Sequence, residues 1–185
     1  MKKMKYKAVI FDLDGVLCST DKYHYAAWKK TADMLGIPFN EEINNRLRGI
    51  SRRESFEIIL EGYNGTLSDE EKEKYIEEKN NIYRKLLENV SSGDLDPDAV
   101  RTMDSIRKTG VKLAIGSSSK NTKLILHQLG LEEYFDAVSD GTNITRSKPD
   151  PEVFLKAAEF LHIAPKDCLV VEDAKAGVEA AKAGG

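Results

Sequence analysis

The apolar positions of this chain follow two different spacings. Residues 7–11 (Lys-Ala-Val-Ile-Phe) are a short, partly β-branched run cut off by Asp-Leu-Asp-Gly, which predicts a buried strand. From about residue 23 to 90 the spacing becomes helical. Residues 23–35 place Ala26, Ala27, Thr31, Met34 and Leu35 at helix-like intervals, and Gly36-Ile37-Pro38 ends them. Residues 53–60 and 68–87 predict further helices, the second opening on Ser68-Asp69-Glu70-Glu71, a capping-box arrangement. No convincing strand interrupts this block.

After Ser91-Ser92-Gly93 the two spacings alternate. Helices are predicted over 98–108, 122–129, 151–161 and 174–183, and apolar strands over 111–115, 135–139 and 168–171. Apolar strands separated by helices imply a parallel sheet covered on both faces. The expected fold class is therefore α/β, with a Rossmann-like parallel sheet core built from residues 1–18 and 92–185. A helical subdomain of residues 19–91 is inserted after the first strand, with linkers near 19–22 and 91–94.

Composition narrows the function classes. Lys and Arg number 28 and Asp and Glu 31, a net charge of 28 − 31 = −3, so no basic excess exists to neutralise nucleic-acid phosphates. No apolar run approaches the ~20 residues needed to span a bilayer, and residues 6–11 are too short for a signal-peptide core. Cys18 and Cys168 fit neither a zinc pattern nor a disulfide framework. The expectation is a cytoplasmic monomer with no membrane or nucleic-acid partner.

In a parallel α/β sheet, functional groups gather at the C-terminal ends of the strands. Here the first strand delivers Asp12-Leu13-Asp14-Gly15 and the second delivers Gly116 followed by Ser117, Ser118, Ser119, Lys120 and Asn121. A loop after the third brings Ser147-Lys148-Pro149, and the fourth ends in Glu172-Asp173. Such a set suits a phosphoryl group and a divalent cation. Each member also has an ordinary reading: Asp173 as an N-cap, Ser117 to Ser119 as caps of the helix at Thr122, Lys148 as a solvated loop lysine. Asp12, with an ordinary carboxylate pKa of ~3.9, is expected to be ionised at neutral pH.

The four motifs F-D-L-D-G-V, S-S-S-K-N, S-K-P-D-P and V-V-E-D, in this order, resemble those of the haloacid dehalogenase superfamily of phosphotransferases, over residues 7–184. The helical insert directly after the first motif matches the class with an α-helical cap, and the cap is most similar to that of the β-phosphoglucomutase group. Thr20, His24, Trp28, the segment from Arg48 to Ser55 and Lys79-Asn80 carry that similarity.

The resemblance implies that Asp12 accepts the phosphoryl group, Asp14 acts as general acid and then base, and Ser117 and Lys148 take the remaining charge, with Thr20 and His24 assisting. It implies a Mg²⁺ ion held by Asp12, the Asp14 carbonyl, Glu172 and Asp173. Trp28, Gly49, Ile50, Ser51, Arg52, Ser55, Lys79, Ser119, Lys120 and Asn121 would bind a small-molecule sugar phosphate. The implied reaction interconverts β-D-glucose 1-phosphate and β-D-glucose 6-phosphate through an aspartyl-phosphate and a 1,6-bisphosphate. The alternatives are a hexose-phosphate phosphatase of the same superfamily and an inactive sugar-phosphate-binding remnant. His24 and Trp28 also read as a helix-surface histidine and a core tryptophan, His127 and His162 as structural, and the nine charged residues among positions 69–79 as a solvated helix face apart from Lys79. Arg48 and Ser118 stand where the family tends to lysine and alanine. The family continues a few tens of residues past Gly185 with a fifth strand and a last helix. An incomplete product is therefore expected, its fourth strand an apolar edge and its stability affected more than its chemistry.

Overall fold

A computed structural model describes residues 5–48 and 50–185. The chain divides into two compact units, residues 1–19 with 90–185 and residues 20–89.

The first unit holds four strands, β1 (Ala8–Phe11), β2 (Lys112–Gly116), β3 (Ala137–Ser139) and β4 (Cys168–Val171), all parallel in the order β3-β2-β1-β4. Helices α5 (Pro97–Arg107), α6 (Thr122–Leu129), α7 (Glu152–Phe160) and α8 (Lys175–Gly184) belong to this unit. β1 is fully buried because it has a neighbour on each side and a helix layer below. Ile10 and Ala114 pack with Val153, Phe154, Ala157 and Ala158 of α7 and Ala180 of α8. β4 is an edge, and Leu169 on it is 39% exposed. Burying a leucine side chain is worth ~1.5–3 kcal/mol, much of which this position forgoes.

The second unit holds α1 (Asp21–Met34), α2 (Glu41–Arg46), α3 (Arg52–Leu60) and α4 (Asp69–Leu87). Trp28, Ala32, Ile37, Phe39, Phe56, Ile59 and Ile76 form its core. Both ends of the Ser68–Glu71 capping box are made. α2 escapes the sequence reading because only Ile43 of its six residues packs against the core, and that partly, so no apolar period marks it; Asn40 starts it by accepting from Ile43 N.

Among the described residues, His162 at φ 55° is the one residue other than glycine with left-handed backbone, and it ends α7 where glycine is usual. His162 N donates to Glu159 O and Ile163 N to Ala158 O, which is the Schellman pairing. The imidazole is exposed, so little packing repays the Cβ strain. His162→Gly should therefore stabilise the chain by about 1 kcal/mol, a rise of roughly 2–4 °C in Tm. A thermal melt showing no rise would mean that the ring packs usefully.

Candidate active site

The strand register decides which side chains meet. Phe11 pairs with both Ile115 and Val171, and Gly116 with Ser139, so the chain leaves β1, β2, β3 and β4 along one edge. The ladder runs slightly further, through Asp12 N to Val171 O (2.9 Å) and Ser117 N to Ser139 O (3.1 Å). Asp12, Ser117 and Glu172 therefore stand side by side although up to 160 positions separate them.

Lys148 reaches them from the loop between β3 and α7. Its Nζ lies 2.7 Å from Asp12 Oδ1 and 2.7 Å from Glu172 Oε2, with its side chain 8% exposed. It is not a solvated loop lysine. The loop is held at both ends: Lys148 N donates to Ser118 Oγ (3.3 Å), and the Glu152 carboxylate accepts from Thr145 N, Thr145 Oγ1 and Arg146 N. Ser118 thus has a use here that an alanine could not serve. The neighbouring hydroxyls order their own turn, Ser117 Oγ accepting from Ser119 N and Ser119 Oγ from Asn121 N. The helix cap position is Asn121, without a side-chain cap bond, so these serines do not cap α6 in the expected way. Ser117 and Asn121 are buried and Lys120 is exposed.

The electrostatics correct one expectation. Asp12 is raised to about 7, first by burial and then by Glu172 and Asp14, against the lowering by Lys148. In the absence of a cation it is partly protonated at neutral pH rather than fully ionised. The same negative field, after burial, pushes the Cys18 thiol up to about 12, with Asp14, Asp94 and Asp12 all contributing. Such a site is short of positive charge.

Asp12, Glu172 and Asp173 each bring one oxygen to within 4.8 Å of the others, a hard-oxygen donor set that fits a small divalent cation. Glu172 is the most committed of the three. Its Oε1 accepts from Asp173 N and Ala174 N, and its Oε2 from Lys148. Two glycines make room for this group: at Gly15 (φ 83°) a Cβ would collide with the Asp173 carboxylate, and at Gly177 with that of Glu172. The N-cap of α8 is Ala174, so Asp173 is not the capping residue that its place in the sequence allows. Asp14, partly buried, sits in the turn closed by Gly15 N to Cys18 O (2.8 Å).

The second unit has its own cluster. Thr20, Lys79 and Ser55 are buried, and Lys79 Nζ lies 2.9 Å from His24 Nδ1. His24 is held well below its ordinary pKa, chiefly by burial and then by Lys79 and Arg52, so it is a neutral, partly buried group and not a surface histidine. Burial also lowers Arg52. Trp28 belongs to the core and meets Lys79 through its ring face. Ser51 Oγ caps α3 by accepting from Glu54 N, and Ile50 is 36% exposed. Arg48 pairs with Asp21 (2.6 Å) on the surface. Gly49 lies outside the described residues. Tyr83, which touches Thr20, His24 and Lys79, was not legible as a site residue: a tyrosine four positions after Lys79 reads as core filling.

Comparison with known proteins adds the following. The model of the haloacid dehalogenase-like hydrolase family matches residues 6–185. A β-phosphoglucomutase of Bacillus subtilis is 41% identical over 181 residues, covering 97% of this chain and 80% of the relative. A phosphorylated carbohydrates phosphatase of Thermotoga maritima is 34% identical, with 97% and 82% covered. The crystal structure of a β-phosphoglucomutase from Clostridium difficile superposes with a TM-score of 0.90 at 39% identity, covering 97% of this chain and 81% of that one. Among the described residues no helix is long and apolar enough to cross a membrane.

Proposed function

The chain belongs to the haloacid dehalogenase-like hydrolases, and from that premise we propose that it is a Mg²⁺-dependent β-phosphoglucomutase. It interconverts β-D-glucose 1-phosphate and β-D-glucose 6-phosphate through the 1,6-bisphosphate. The observation that carries this reading is the presence of two separate sets of cationic groups. Lys148 stands at Asp12, and Lys79 and Arg52 gather around the neutral His24 in the helical unit. A phosphatase handles one phosphate, whereas a mutase must hold a second while the first reacts.

In this mechanism the 6-hydroxyl of β-glucose 1-phosphate attacks the phosphorus carried by Asp12 while Asp14 takes its proton, and the bond from phosphorus to the Asp12 oxygen breaks to give the 1,6-bisphosphate. After the bisphosphate turns round, the Asp12 oxygen attacks the other phosphorus, the bond to the C1 oxygen breaks with Asp14 giving that oxygen its proton, and glucose 6-phosphate leaves with the aspartyl-phosphate restored. Lys148 and Ser117 offset charge on the transferring group. Arg52 offers its planar fork to the phosphate that is not reacting. A divalent cation held by Asp12, Asp173, Glu172 and the Asp14 carbonyl would supply charge neutralisation between two anions. EDTA should therefore silence the enzyme, and Mg²⁺ but not Ca²⁺ should restore it, because Ca²⁺ takes longer bonds and more ligands. Asp173→Ala should raise the Mg²⁺ concentration required. An unchanged requirement would remove Asp173 from the ligand set.

The phosphatase reading draws on the Thermotoga maritima relative. One experiment separates the two: β-glucose 1-phosphate with Mg²⁺ and trace bisphosphate, following glucose 6-phosphate and inorganic phosphate together. Glucose 6-phosphate as the main product supports the mutase, and phosphate release without isomerisation replaces it with the phosphatase. Arg52→Ala should cut mutase kcat/KM by about 10- to 150-fold, the weight of one charge-assisted hydrogen bond.

A further inference from the structure

Of the charged residues on α4 only Lys79 is fully buried, at 2% exposed. The ammonium lies over two ring faces, 4.8 Å from the Trp28 centroid and 4.6 Å from that of Tyr83. A buried ammonium is stabilised by the negative face of an aromatic ring, and more strongly where water is excluded. Lysine can only donate, so the 2.9 Å contact with His24 makes Nδ1 the acceptor and puts the imidazole proton on Nε2. The pair thus offers donors only, which suits an anion or a sugar oxygen.

Tyr83 is what this pair rests on. Its ring, 1% exposed, stacks on His24 at 4.0 Å between centroids and 27° between planes. Its hydroxyl lies 2.9 Å from Thr20 Oγ1. Thr20 is the N-cap residue of α1, yet its side chain makes no cap bond there. One side chain therefore touches Thr20, His24 and Lys79, on two helices. We propose that Tyr83 is a positioning residue of the reaction: its ring holds the His24–Lys79 pair in register and its hydroxyl holds Thr20. The roles of those three residues rest on the proposed function; the contacts themselves do not.

Two variants test this in the full-length chain, each read by ¹⁵N NMR of His24 and by kinetics. Tyr83→Phe keeps the ring, so His24 should remain the neutral Nε2–H tautomer, while kcat/KM on β-glucose 1-phosphate falls about 2- to 10-fold, the weight of one neutral hydrogen bond. Tyr83→Leu removes the ring. His24, faced by Lys79, Arg52, Thr20 and Tyr83, should then lose its fixed tautomer and titrate closer to its ordinary value. The loss on the sugar phosphate should exceed that on acetyl phosphate at least tenfold. An unchanged His24 spectrum and titration in Tyr83→Leu overturns the inference, as do equal losses on both substrates that track a fall in Tm. Should Tyr83→Leu fail to fold, an unchanged kcat/KM in Tyr83→Phe overturns it. If the chain proves to be a phosphatase, the His24 spectra still decide whether Tyr83 positions the pair, so the two readings fail separately.

Discussion

Asp12→Asn should cost on the order of 10⁶ in kcat, the scale on which removal of a covalent nucleophile acts, and no other residue should become phosphorylated. The amide keeps the shape of the side chain and can still accept from Lys148, but it cannot form the acyl phosphate. Stability provides the control. The pKa of Asp12 rises from 3.8 unfolded to about 7 folded, so its protonation favours the folded state. That contribution is fully present below about pH 4 and is lost as pH rises through about 7. At pH 8 without a cation, the ionised wild-type carboxylate costs up to a few kcal/mol that asparagine does not. The variant should thus melt at or above the wild-type temperature at pH 8 with EDTA present, while being inert. Mass spectrometry after incubation with acetyl phosphate should find phosphate on Asp12 of the wild type alone. Phosphate on any other residue of the variant would sink the assignment.

That control was invisible in the sequence. Four strands and most helices could be read from apolar spacing, because burial on a parallel sheet leaves continuous apolar runs such as Ala8–Phe11. The site could be read as a list, since strand ends deliver functional groups whatever lies between them. What no local pattern carries is the field at Asp12. It depends on burial by β1's neighbours and on Glu172, brought there by the β1–β4 register. The same holds for Tyr83, whose importance lies in contacts with Thr20, 63 positions away. α2 was missed for the opposite reason, as a helix with one partly buried apolar residue, Ile43, leaves no period to find.

Asp14→Asn separates proton handling from phosphoryl transfer. If Asp14 moves the proton, turnover of the sugar phosphate should fall by about 10²–10⁴, the usual reach of general acid–base catalysis. Mg²⁺ dependence should be largely retained, because the ligand assigned there is the main-chain carbonyl and the turn that sets it is closed by Gly15 N to Cys18 O, a bond the side chain does not make. The leaving group supplies the sharper test. A sugar hydroxyl must be protonated as it departs, whereas acetate leaves acetyl phosphate as a stable anion without help. The variant should accordingly still be phosphorylated on Asp12 by acetyl phosphate. With no base to activate the incoming hydroxyl, the aspartyl-phosphate should then accumulate and become detectable by mass spectrometry. Slow loading by acetyl phosphate, in step with the loss on the sugar, would mean that the carboxylate orders the turn around Asp12, and the acid–base role would pass to another group.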